Sequence, residues 1–269
     1  MQQLAASLHG LATLAFVAGS AVVGVRLLLL ARRTRQMSEL LLGGAIFCAA
    51  VLGYGVLIAG LIVRGGRLEP EAATPLAIVL SAGGKALHDF GVTLFLLFVL
   101  RVFRPGETWA LALAGGLLAL LWGGYAGGGL ASGFRTDPVG SAAWWCEYAV
   151  IWTYPLWVAL ESFRWWGLMR RRRALGLAGA LVTNRFLLWG TGSVFTALAT
   201  WTASVPYLFA SDLARLEAIT PAIRIATAAL GLASISCSYL AFLPPAWYRH
   251  RVLPSGDGLT SLRRGPDLA

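Results

Sequence analysis

The chain has 269 residues, of which 13% are Asp, Glu, Lys or Arg and 58% are hydrophobic, with a mean hydropathy of +0.71. A soluble domain carries about twice that charged fraction, so a water-soluble fold is excluded and lipid is the expected solvent. The formal net charge of +10 would point to nucleic acid in a soluble protein, but the cations lie between apolar runs, where they report membrane topology, and no nucleic-acid partner is expected.

Apolar runs separated by Gly, Pro and charged residues predict an all-α, polytopic membrane protein, a seven-transmembrane helix bundle. The predicted spans are Leu4 to Leu30, Leu40 to Val63, Leu76 to Leu100, Thr108 to Tyr125, Ala142 to Phe163, Asn184 to Phe209 and Ala218 to Leu243. The first run has no basic segment before it and a basic loop after it, so it is expected to stay as a span and not to be removed as a signal. Gly123, Gly124 and Gly127 to Gly129 weaken the end of the fourth span. Small residues such as Gly115, Ala119 and Gly123 are expected to form its packing face. Pro155 and Pro206 are expected to kink spans five and six, and Pro244 and Pro245 to stop span seven.

Orientation follows from the basic residues. Arg32, Arg33, Arg35, Arg101, Arg104, Arg164, the run Arg170 to Arg173, Arg185, Arg249, Arg251, Arg263 and Arg264 all fall on one side of a seven-span chain. The opposite loops mix Arg64, Arg67, Arg135 and Arg215 with Glu69, Glu71, Asp137, Asp212 and Glu217. This places the N-terminus outside and the C-terminus in the cytoplasm. Residues 1–248 form the bundle and 249–269 a flexible basic cytoplasmic tail.

Ionisable groups at bilayer depth are costly, so each is a candidate functional residue. Five qualify: Lys85, His88 and Asp89 in span three, Glu147 in span five and Arg224 in span seven. With Ser81, the three residues of span three share one helical face. Lys85 lies roughly 14 Å below the outer end of its helix, Arg224 about 9 Å and Glu147 about 8 Å, so all are expected in the outer half. Lys85 is the only lysine among 22 basic residues. Its partner is left open between Asp89, Glu147 and Arg224, and the same residues can serve either as a binding site or as an ion-pair network that fixes helix register. Arg26 and Glu161, close to the inner surface, are expected to snorkel or pair with a neighbour such as Arg164. Phe95, Phe98, Trp157 and Trp189 are expected to pack the inner half.

Catalytic readings find little support. His9, His88 and His250 fall at three different depths and cannot surround one metal, and no GxSxG, HExxH or phosphate-cradling loop occurs. The cysteines Cys48, Cys146 and Cys237 are widely spaced and read as buried small hydrophobes.

The run Arg170 to Arg173 with Leu175, Gly176 and Leu177, the segment Asn184 to Trp189, and Phe242, Leu243, Pro244, Pro245, Trp247 and Tyr248 together resemble bacterial seven-helix membrane sensor modules. The resemblance covers about the last 100 residues. It implies a receptor-like or sensory membrane part, in a bacterial inner membrane, that signals through a separate partner because no output domain follows Tyr248. The expected function is therefore receptor-like, with an outward-facing site lined by Ser81, Lys85, His88, Asp89, Glu147 and Arg224 and no enzymatic activity. A small transporter or proton or ion channel is the alternative, and an accessory subunit of a membrane complex the third. Membrane lipid, a cytoplasmic or membrane protein partner and a small ligand are the expected partners; no motif names the ligand or a cofactor.

Overall fold

In hydrocarbon a backbone N–H or C=O finds no partner but another backbone group, which makes helix the form available to a single apolar run. The computed structural model describes residues 2–65, 74–135, 139–208 and 213–253, and all of their regular structure is helical. The elements are α1 (Gln2–Thr34), α2 (Met37–Ile46), a π-helical segment (Phe47–Gly53), α3 (Tyr54–Val63), α4 (Pro75–Phe103), α5 (Thr108–Ser132), α6 (Ala142–Ala174), α7 (Ala180–Leu208), α8 (Leu213–Phe242) and α9 (Ala246–Val252). Helix α2, the π segment and α3 run on as one rod, so the described residues form seven long rods.

Among the described residues five stretches are long and apolar enough to cross a membrane: Gln3–Thr34, Met37–Val63, Pro75–Phe103, Thr108–Ser132 and Ala218–Phe242. They mark the chain as an integral membrane protein. Their outer surfaces agree, since Ile62, Val79 and Leu111 stand 71%, 66% and 64% exposed on the periphery of the bundle, where water would penalise them and lipid does not.

Local chemistry sets the helix ends. The Thr74 side chain accepts from the Ala77 N–H with Pro75 at the first helical position, and Ser141 accepts from the Trp144 N–H. Helix α5 continues beyond Tyr125, through the glycines, to a left-handed Gly133. Helix α6 also outruns its predicted span by three turns, so Arg164 and the Arg170 to Arg173 run are helical and not part of a loop. At the chain's end, residues 249–252 belong to α9, while residues 254–269 lie outside the described residues, as do Arg67, Glu69, Glu71, Asp137 and Asp212.

Each rod packs on its neighbours in sequence, and α1 closes the ring against α8; α4 also touches α6. The tightest seam joins α4 to the π segment. A Cβ added at Gly91 would sit 2.4 Å from the Ala49 nitrogen and 2.8 Å from the Ala45 carbonyl oxygen, backbone atoms that cannot swing aside. Close backbone approach through small residues is the usual substitute for a hydrophobic driving force between helices in lipid. Gly91→Ala is therefore expected to lower stability by about 1 to 3 kcal/mol, read as thermal unfolding in detergent. Gly115 and Gly123, the predicted packing face of α5, instead face open space, and the packing falls to Gly124, whose added Cβ would lie 2.5 Å from Glu147 Cγ.

Candidate functional site

The ring encloses a central cavity of about 350 Å³, to which every rod except α5 contributes. It reaches from Lys85 to Phe95 along α4 and from Ala203 to Trp189 along α7, roughly 15 and 21 Å at 1.5 Å per residue. One end is polar. Lys85, His88 and Asp89 line it there, with Tyr54 across from α4. The α7 and α8 wall carries hydroxyls, among them Ser193, Thr196, Thr200, Ser234 and Ser238, with Thr196 and Ser234 hydrogen-bonded to each other at 2.7 Å. The other end is aromatic: Trp189 and Phe242 line it as a floor, Phe98 and Phe103 pack on Trp189 behind them, and Trp165 and Phe186 pack on Phe103.

The predicted face of α4 is present and its partners are now fixed. Lys85 forms an ion pair with Glu147 of α6, which is 3% exposed. Asp89, only 1% exposed, meets the His88 ring through Oδ1 at 3.1 Å; Oδ2 is buried with no hydrogen-bond partner among the described residues. The His88 ring in turn sits edge-on to Tyr54 at 5.8 Å between centroids. Gly124 makes the Lys85–Glu147 contact possible, because the methylene stem of Glu147 occupies the space a side chain there would need.

Ser81 lies one turn above Lys85 in a second cavity of about 510 Å³ between α3, α4, α5 and α6, with Tyr207 of α7 also on its wall. Arg64 fixes its rim by donating to Ser81 Oγ at 3.2 Å and to the carbonyl oxygens of Phe134 and Arg135. The two cavities share Leu57 and Lys85, so the ion pair stands between them.

Arg224 does not join this group. It is exposed on α8, lines neither cavity, and its backbone carbonyl accepts from the His9 ring at 3.3 Å. Position along the helix gave its depth but not its rotation, and the tertiary packing turns it outward.

Sequence reasoning missed two features. The hydroxyls of α7 recur at 193, 196, 200 and 204, a helical period that was legible but had been absorbed into an apolar span. The second is the main partner of Glu161, a residue expected to snorkel or to pair with a neighbour such as Arg164: it does lie near Arg164 but is only 3% exposed and is held by Arg104 Nε at 2.6 Å and by the Trp157 Nε1–H at 3.3 Å. The Arg104 guanidinium also lies over Trp109 at 4.9 Å, and half-exposed Arg164 approaches Glu161 only to 3.6 Å. The signal that would have found the pair is the helix continuing to Ala174, which leaves Glu161 far from the end of α6.

The residues carrying the sensor-module resemblance meet at the same end as this pair. Asn184 donates to the Tyr248 hydroxyl, Arg185 Nε donates to the Ala241 carbonyl at 3.1 Å, and Trp189 packs on Phe242. Among the described residues no three His, Cys, Asp or Glu side chains gather as a metal-binding group. Comparison with known protein families, with curated proteins and with solved structures found no match.

Proposed function

We propose that the chain is a receptor-like seven-helix membrane protein, N-terminus outside and C-terminus in the cytoplasm, that binds a small ligand in its central cavity. The observation behind this reading is the cavity itself. It is charged at the Lys85 end, mixes apolar side chains with a track of hydroxyls along its length and ends on aromatic rings at the arginine-rich end, which is the form of a cup and fits a ligand pocket in size. Rods α6 and α7 complete the seven spans: both match the others in length and stand in the same ring, and of their polar residues Ser193, Thr196 and Thr200 line the cavity while Glu147 and Glu161 meet Lys85 and Arg104. The test is native mass spectrometry of the purified protein, with an absorption spectrum. A small molecule should be retained in the native protein and lost when Ala199→Phe fills the cavity. Retention unchanged by that substitution would place the molecule elsewhere and overturn the reading.

The orientation has its own test. In a background without the three native cysteines, single cysteines at Gly66 and Ser211 should react with an impermeant thiol reagent on intact cells, and those at Ser38 and Gly176 should not. Labelling at Ser38 or Gly176 would reverse the topology.

One observation favours transport as a second reading. The central cavity runs past the polar group and abuts the second cavity at Lys85, so parting of the Lys85–Glu147 pair would join them. The aromatic floor favours the receptor, because a path through the bundle would have to cross it. Accumulation of the retained molecule inside proteoliposomes would decide for transport.

A further inference from the structure

We propose that the ligand of the central cavity is a small organic cation, an amine carried on an aromatic or alkyl body, whose ammonium group is held by Asp89. The inference rests on the reading of the cavity as a ligand site and adds the chemistry of what it takes. Asp89 is the starting point. Its side chain is 2% exposed and lines the cavity, Oδ1 is engaged by the His88 ring, and Oδ2 has no hydrogen-bond partner among the described residues. A buried carboxylate oxygen without a donor is unfavourable, and a donor from a ligand removes the penalty.

Charge then selects among donors. The Lys85 ammonium is already paired with Glu147, so the negative charge of the Asp89 carboxylate has no lysine or arginine of its own among the ion pairs of the described residues. A neutral ligand leaves that charge in place and an anion adds to it; an ammonium cancels it and forms a charge-assisted hydrogen bond. The walls point the same way. Phe16, Tyr54, Tyr148 and Tyr154 line the cavity, and aromatic faces attract a desolvated cation. Toward Trp189 the lining becomes apolar with a track of hydroxyls, suited to the body of the amine and to one or two polar substituents.

The test uses three probes of nearly one shape, phenylbutylamine, phenylbutanol and phenylbutyrate, titrated calorimetrically against the full chain in lipid nanodiscs. The amine should bind at least about tenfold more tightly than the alcohol, and the acid more weakly than either. Asp89→Asn keeps the shape and removes the charge; it should bring the amine down to the affinity of the alcohol while leaving the alcohol unchanged. If Asp89→Asn does not fold, Tyr54→Leu serves instead, with a several-fold loss expected for the amine alone. Equal or tighter binding of the alcohol or the acid, or an amine preference that survives these substitutions, overturns the cation assignment and leaves the cavity a ligand site. Binding by none of the three, in a chain that also retains no molecule on purification, overturns both.

Discussion

Lys85→Met is expected to lower stability by about 3 to 5 kcal/mol, because it strips the partner from a Glu147 carboxylate that is 3% exposed. Glu147→Gln should cost less, about 1 to 3 kcal/mol, since the Lys85 side chain keeps 24% exposure and borders two cavities where water can solvate an ammonium. The double substitution Lys85→Met with Glu147→Gln should recover most of the larger loss, as removal of both members leaves no orphaned charge. Thermal unfolding in detergent measures all three. Strictly additive losses would mean that the two side chains do not pair. The cycle also separates the pair from the proposed ligand contact. If the pair is scaffolding for the cup, the double variant regains amine binding along with stability.

Arg104→Met should have an effect of the same size, about 3 to 5 kcal/mol, at the opposite end of the bundle. It removes the guanidinium 2.6 Å from buried Glu161 and the stack on Trp109, leaving the carboxylate to the Trp157 N–H and to Arg164 at 3.6 Å. Arg104→Lys keeps the charge but loses the planar fork and the stacking, so an intermediate loss is expected. Arg164→Ala should change stability by no more than about 1 kcal/mol, because its side chain is 51% exposed and its nitrogen stays 3.6 Å from Glu161, beyond hydrogen-bond distance. Equal losses at Arg104 and Arg164 would show that Glu161 is not held as the geometry indicates. The pair ties the end of α4 to α6 beside the aromatic layer that floors the cavity. Its loss should therefore weaken ligand retention even at temperatures where the bundle remains folded.

The candidate site was half legible in the sequence. Ser81, Lys85, His88 and Asp89 lie on one helix, and spacing alone puts them on one face; that face does line the cavities, with Ser81 in one, His88 and Asp89 in the other and Lys85 in both. Relations between helices were not legible. Glu147 and Arg224 sit at similar depths on their own spans, yet one is buried against Lys85 and the other is exposed. Around a rod in lipid the apolar residues run on every side, so periodicity does not say which side faces the bundle.

The sequence by itself determined the order of the apolar helices and most of their limits, because apolar length, proline and glycine act within a few residues of themselves, but not the ends of α5 and α6, which run on past their apolar stretches to Ser132 and Ala174. It also determined that the ionisable residues of α4 share a side. The tertiary structure alone decided the partner of Lys85, the outward turn of Arg224, the burial of Glu161 under Arg104, and the cavity that joins α4 to the hydroxyls of α7 and α8. Each of these depends on the rotation of one rod about its axis, where one residue changes direction by about 100°. That rotation is fixed by contacts such as Gly91 on Ala49 and Gly124 on Glu147, between residues far apart in the chain.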